Sequence, residues 1–250
     1  MAKSATSPEA LRIEAIAQAK RLMRVSRTAA LATLDPESGA PLTTLVGTAS
    51  DFDGAPLFLM STLSRHTRHL QRDPRASALL SEPPARGDPL NHPRVTLSGR
   101  VMPEARPNAL ARYLQRYPKA RLYAGFADFA VFRLDVESVH FNGGFGRAQP
   151  LEPSNVLAPR EGESALIEAE PRLLQEINAR GDAYVAGLAG FTPSARRVWR
   201  AVGLDSEGLD LSSGSRAGRL QFASAARDEA GWRAQLEAAR GEPSNRRRAD

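Results

Sequence analysis

The chain has 250 residues, 42% of them hydrophobic and 25% charged, which is enough for a sizeable core in one large domain or two ordinary ones. It carries no cysteine, and this excludes disulfides, thiolate catalysis, iron–sulfur clusters and cysteine-type zinc sites. The net charge of +6 is modest, and the terminal Arg246-Arg247-Arg248 run supplies half of it, so the balance suits anionic small molecules at least as well as nucleic acid.

The first residues hold no apolar region of the signal-peptide kind, and no apolar run approaches a membrane span; the expectation is a cytoplasmic protein with no membrane and no nucleic-acid partner. Ser7-Pro8-Glu9 reads as a helix start, and Leu11, Ala15, Ile16, Ala19, Leu22 and Met23 then recur at helical spacing. From Thr28 the pattern turns β-permissive. Strands are expected over 28–34, 41–50 and 55–61, joined by the turns Asp35-Pro36-Glu37-Ser38-Gly39 and Asp51-Phe52-Asp53-Gly54, which together suggest an antiparallel meander. A basic helix over about 64–72 is stopped by Asp73-Pro74 and followed by a strand over 75–81 and a proline-rich loop over 82–92. Residues 94–102 alternate apolar and polar with period two, Pro107 opens another helix, and 131–134 and 136–141 read as a final pair of strands before Asn142-Gly143-Gly144-Phe145-Gly146.

Short antiparallel strands with inserted helices make the expected class α+β, a small antiparallel barrel and not a doubly wound parallel sheet. The barrel domain is placed at 8–150, a linker at 151–163, a small α+β domain at 164–241 and a disordered basic tail at 242–250. In the second domain, helices are expected over 165–179, interrupted at Pro171, and over 182–188; strands over 198–204, 208–212 and 219–222 precede a closing helix over 228–240.

The densest chemistry lies in 59–70. An apolar strand stops at hydroxyls, and Ser61, Thr62, Ser64, Arg65, His66, Thr67 and Arg68 crowd the junction with the basic helix. The first turn of a helix has unpaired N–H groups and the positive end of a dipole, so this is either an anion site, for phosphate above all, or an ordinary N-cap before a solvated helix. No dedicated metal site is expected: of His66, His69, His92 and His140, only the first two have ligand-like spacing, and no carboxylate cluster accompanies them. There is no nucleophile-elbow sequence, and the glycines at 143, 144 and 146 lack dinucleotide-loop spacing and read as a tight turn. Thr43-Thr44-Leu45-Val46-Gly47-Thr48 is expected to pair with the 55–61 strand and to offer main-chain groups to a flat ring, with Arg94 or Arg100 as a second cation. A phosphate and a ring together suggest a nucleotide-like cofactor.

Several pieces carry a family resemblance: Ala30–Leu34, Gly39-x-Pro41, Leu45-Val46, residues 61–70, Asp73-Pro74-Arg75-Ala76-Ser77, Leu97-Ser98-Gly99-Arg100 and Gly143-Gly144-Phe145-Gly146-Arg147-Ala148. With them, residues 10–150 or so resemble the FMN-binding split-barrel proteins related to pyridoxamine 5′-phosphate oxidase, and most closely the HugZ-type haem-degrading branch. The resemblance implies a homodimer with FMN between two barrels. The phosphate would be held by Ser61, Thr62, His66 and Thr67, with Ser64, Arg65 and Arg68 beside them. The ring would lie against Thr44, Leu45 and Val46, and the strand bearing Arg94 would reach it from the partner subunit. An FMN-dependent oxidoreductase of a small molecule is the implied function, with a haem-binding or haem-degrading protein and a non-catalytic binding module as alternatives. His66-Thr67 stands where pyridoxamine phosphate oxidases have an Arg/Lys pair, so that activity is not expected. The His-x-Asn-x-Asp-His motif of many relatives corresponds to 176–182 here with both histidines missing, and no histidine follows His140. A haem ligand from the C-terminal domain therefore does not carry over, and His140 and His92 remain as candidates.

Overall fold

The computed structural model describes residues 7–82, 87–159, 164–188, 190 and 197–241. Helix α1 (Pro8–Val25) begins as its sequence predicts, with Ser7 Oγ accepting from Ala10 N at 3.2 Å and Pro8 in the first turn. Its buried stripe of Ala15, Ala19, Leu22 and Met23 packs on a curled sheet. The strands of that sheet are β1 (Thr28–Leu34), β2 (Pro41–Gly47), β3 (Ala49–Ser50), β4 (Pro56–Ser61), β5 (Arg75–Ser81), β6 (Arg94–Pro103), β7 (Phe129–Asn142) and β8 (Ala148–Leu151). They run in the order β2-β1-β5-β6-β7-β4-β3, with β8 added to β7, and every pairing is antiparallel. Helix α2 (Arg65–Arg72) follows β4, and α3 (Pro107–Arg116) follows β6. This is the expected α+β architecture, an antiparallel barrel left open along one seam.

The opening corrects the meander. The strand expected over 41–50 breaks at Thr48, whose N–H donates to Arg27 O at 3.0 Å. Before the break β2 pairs along β1; after it only Ala49 and Ser50 pair with β4. The Thr43–Thr48 segment therefore does not pair with the 55–61 strand, and β2 is left as a sheet edge facing the split. The two strands expected over 131–134 and 136–141 are one 14-residue strand, β7, whose register shifts opposite Ser98/Gly99. Residues 151–159, expected as the start of a linker, hold the last residue of β8 and α4 (Pro153–Val156), and they bury Leu151, Val156 and Ala158. Residues 160–163 and the tail at 242–250 lie outside the described residues.

The C-terminal region comprises α5 (Ser164–Ala179), α6 (Asp182–Leu188), β9 (Arg200–Asp205), β10 (Gly208–Ser213), β11 (Arg216–Gln221) and α7 (Glu229–Gly241). Its three strands form a separate sheet in the order β11-β10-β9, with a core built round Trp199, Trp232, Leu173 and Leu204. Pro171 does not end α5, which runs through it. Phe52, from the turn between β3 and β4, is buried in this second core. No helix among the described residues is long and apolar enough to cross a membrane.

Buried charge joins the two sheets. Arg24 donates to Asp51 O and Phe52 O and pairs with Asp205 at 3.2 Å, while Arg112 donates to Ser50 O and Leu204 O and pairs with Glu170. Asp51 itself is 1% exposed and pairs with Arg106 and Arg133. Burial raises the Asp51 pKa, but Arg133, Arg106 and Arg112 outweigh it and hold the carboxyl at about 2 against an ordinary 3.8. A depressed carboxylate stabilises the fold above its unfolded pKa and loses that contribution as pH falls through the folded one. Denaturant unfolding is therefore expected to show Asp51 losing about 2 kcal/mol of stability as pH falls below its ordinary carboxylate range. Asp51→Asn should flatten this slope. Part of the slope that remains belongs to Asp205, where Arg219 and Arg24 overcome burial to lower the pKa in the same direction, and part to other lowered carboxylates such as Asp35, Asp73 and Glu104.

Candidate cofactor site

Strand β4 ends at Ser61 and the chain turns sharply into α2. Ser64 N donates to Ser61 O at 3.1 Å, and Thr62 N donates to Asp128 O at 2.7 Å. Ser64 occupies the N-cap position without capping: its hydroxyl donates to Ser61 O at 2.7 Å and lies 2.8 Å from both His66 Nε2 and Thr67 Oγ1. The first turn of α2 is thus left without a side-chain cap and without an acidic residue, an arrangement that favours an anion.

The other residues of the junction are less available than their sequence suggests. Ser61 gives its hydroxyl proton to Asp128 Oδ2 at 2.6 Å. Thr67 is fully buried, its hydroxyl 2.8 Å from Ser64 Oγ. His66 Nδ1 lies 3.2 Å from Thr44 Oγ1, so the imidazole bridges α2 to β2 across the split. Burial, and then neighbouring His69, push its pKa below the ordinary 6.5, so at neutral pH it offers hydrogen bonds and not charge. Arg65 is held by Asp35 at 3.2 Å, and Asp35 also receives His69 at 3.5 Å. His69 is buried, its other ring nitrogen 3.2 Å from Thr33 Oγ1, and it serves to pin α2 to β1. Thr62 is half-buried, and Arg68 is exposed with no ion pair among the described residues. Asp128, Asp35 and Thr33 were not legible as site residues, because no local pattern marks a partner supplied from elsewhere in the chain.

The pleat separates the residues expected to meet a ring. Thr44 and Val46 face inward, and Leu45, 76% exposed, faces outward. Cross-strand register places Leu45 in one row with Ala30, Leu79, Thr96 and His140 on the outer face of five adjacent strands. The row is roughly 19 Å wide at one strand spacing per step. Arg94 shares this face, opposite Asn142 and diagonal to His140. Ser61, by contrast, pairs with Phe129 at the other end of β7, so within one chain Arg94 and the α2 junction lie apart by roughly 40 Å of strand. Beyond Asn142 the tight turn is as expected: Gly143 N donates to Arg147 O at 3.0 Å, and Gly144 has a φ of +108° where a side chain would meet Asn91 O. Phe145 at its tip is 97% exposed.

Residues 11–157, well over half the chain, match the family described as CREG, beta-barrel. This chain belongs to the CREG β-barrel family. The match covers the large sheet and its helices. A curated relative, the chloroplastic non-canonical heme oxygenase HOZ of Arabidopsis thaliana, is 29% identical over 144 residues, which are 56% of this chain and 44% of that protein. The chain thus spans less than half the length of this curated relative. Among solved structures, the protein Atu2129 of unknown function from Agrobacterium tumefaciens superposes with a TM-score of 0.79 at 35% identity, covering 95% of this chain and all of that one. A heme binding protein from Mycobacterium smegmatis shares the fold at 24% identity and a TM-score of 0.54, covering 90% of this chain and 96% of the other.

Proposed function

We propose that this chain is a haem-binding member of the CREG β-barrel family, taking haem against the outer face of its large sheet. The observation that carries the proposal is the uncovered row from Leu45 to His140. Ala30 and Leu79 give it an apolar middle, and half-buried Arg94 brings a cation with no carboxylate partner among the described residues. A planar macrocycle with two propionates suits an apolar platform with a cation on the same face, and Leu45, Ala30 and Leu79 together with Arg94 supply these on one outer face. The relationship to a non-canonical heme oxygenase supports the same choice. Haem when bound supplies iron for redox and oxygen chemistry; the chain supplies position and electrostatics. A second copy covering this face would enclose the ligand, so a homodimer with the cofactor at the subunit interface is part of the proposal.

FMN is the second reading, favoured by the uncapped first turn of α2 beside the open edge of β2. The buried Thr67, the Ser61–Asp128 bond and the neutral His66 leave mainly main-chain N–H groups, Thr62 and Arg68 for a phosphate, which is why it ranks second.

Parallel titrations of the full chain with haemin and with FMN test the two. The expected result is a shifted Soret band saturating at one haem per chain, and a solution mass of twice the chain. An unshifted Soret band together with tight, yellow FMN binding would replace the first reading by the second.

A further inference from the structure

We infer that the seam between the two sheets binds one water molecule, which joins the Arg116 guanidinium to the Asp210 carboxylate and completes the set of buried ion pairs there.

The guanidinium groups of the seam differ in what satisfies them. Arg24 pairs with Asp205, Arg112 with Glu170, and Arg219 with both Asp205 and Asp210. Arg116, in the last turn of α3 and 4% exposed, forms no ion pair among the described residues. Its Nη2 donates to Ser26 O at 2.9 Å, and its Nε is buried with no hydrogen-bond partner among those residues. Burial pushes its pKa down, and Asp210 is the strongest influence opposing this. A buried donor left unpaired carries its full desolvation cost, so such groups are normally met by protein or by water.

Room and partners for a water lie beside it. Together with Ser50, Arg112, Val202, Gly203 and Asp210, Arg116 lines a cavity of about 10 Å³, close to the volume that one water needs. Gly203 stands opposite Asp210 where β9 and β10 shift register, and its missing side chain opens the space. A methyl group there would lie 3.3 Å from Arg112 Nη2 and 3.5 Å from Asp210 Oδ2, so these two atoms converge on one point. The rest of each side chain is already engaged. Arg112 gives Nε and Nη1 to Ser50 O, Leu204 O and Glu170, and Asp210 Oδ1 accepts from Arg219 at 2.8 Å.

The facing groups also choose the occupant. A water accepts from Arg116 Nε–H and donates to Asp210 Oδ2. A monatomic anion could only accept, and the carboxylate would repel it.

Crystals of the full wild-type chain are expected to show a single water peak within about 3.2 Å of both Arg116 Nε and Asp210 Oδ2. Soaking them in bromide should give no anomalous peak at that place. In thermal unfolding, Gly203→Ala puts its methyl where the water sits and is expected to lower the midpoint by about 3 °C or more. In an Arg116→Met background the same methyl should cost much less or raise the midpoint, because the donor that needs the water is gone. Equal shifts in the two backgrounds would overturn the inference. So would a bromide peak in the cavity, or a cavity without density in the wild-type chain.

Discussion

Replacing Arg112 with alanine is expected to lower the unfolding free energy by roughly 3–5 kcal/mol, the range for stripping one partner from a buried ion pair. Arg112 is 5% exposed and donates to Ser50 O at 3.0 Å on one sheet and to Leu204 O at 2.8 Å on the other. It also pairs with Glu170, whose pKa is raised by burial against the opposing pull of Arg112. Without the guanidinium, Glu170 is a buried carboxyl with only the Leu204 N–H at 3.0 Å to satisfy it, and two carbonyls lose their donors. Pairing the change with Glu170→Gln should recover part of the loss, and that recovery is the signature of the pair in a double-mutant cycle. Urea unfolding followed by tryptophan fluorescence reports it, because Trp199 and Trp232 lie in the core beyond Arg112. A loss smaller than about 1 kcal/mol, the scale of a surface pair, would mean that the seam is not the buried junction described here.

Gly99→Ala should rank beside it. A methyl group at this position would stand 1.9 Å from Asp135 O and 3.0 Å from Glu137 N, where the register of β6 against β7 shifts. Both neighbours are backbone, so the clash is relieved only by prising apart the central pair of the barrel, at about 3 kcal/mol or more. Gly187→Ala in α6 is the contrasting case. Nothing lies within 4 Å of the added methyl, and a helical alanine should be neutral or stabilising. Thermal unfolding of the two variants side by side separates close approach from glycine content in general.

The same glycine shows what could be read from the sequence. Leu97-Ser98-Gly99-Arg100 stood out by resemblance, but its physical reason, a neighbouring backbone within contact distance, is long-range and has no local signature. Local signals served where local physics decides. Ser7-Pro8 fixed the start of α1, alternation marked β6, and the glycines after Asn142 marked a turn. The break at Thr48 was not legible, because its stabilising bond comes from Arg27 and because Thr, Leu and Val suit either strand equally well. The candidate site divides in the same way. The crowding of hydroxyls and cations over 61–68 was visible, yet which of them stay free depends on Asp128, Asp35 and Thr44, which come from three other segments. Leu45 and Arg94 were both named for a ring, and only strand register shows that they share a face that Thr44 and Val46 do not.

The charged seam also bears on how the molecule can move. A hinge between the two sheets would have to pull Arg24 from Asp205 and Arg112 from Glu170 together, exposing Phe52 as it did so. Such an opening would uncover apolar Phe52 and disturb the bonds from Arg24 and Arg112 to four backbone carbonyls, which opposes use of the C-terminal sheet as a swinging cover. The α2 junction, held across the split by the Thr44–His66 bond, and the glycine turn carrying exposed Phe145 lie on the barrel outside that seam.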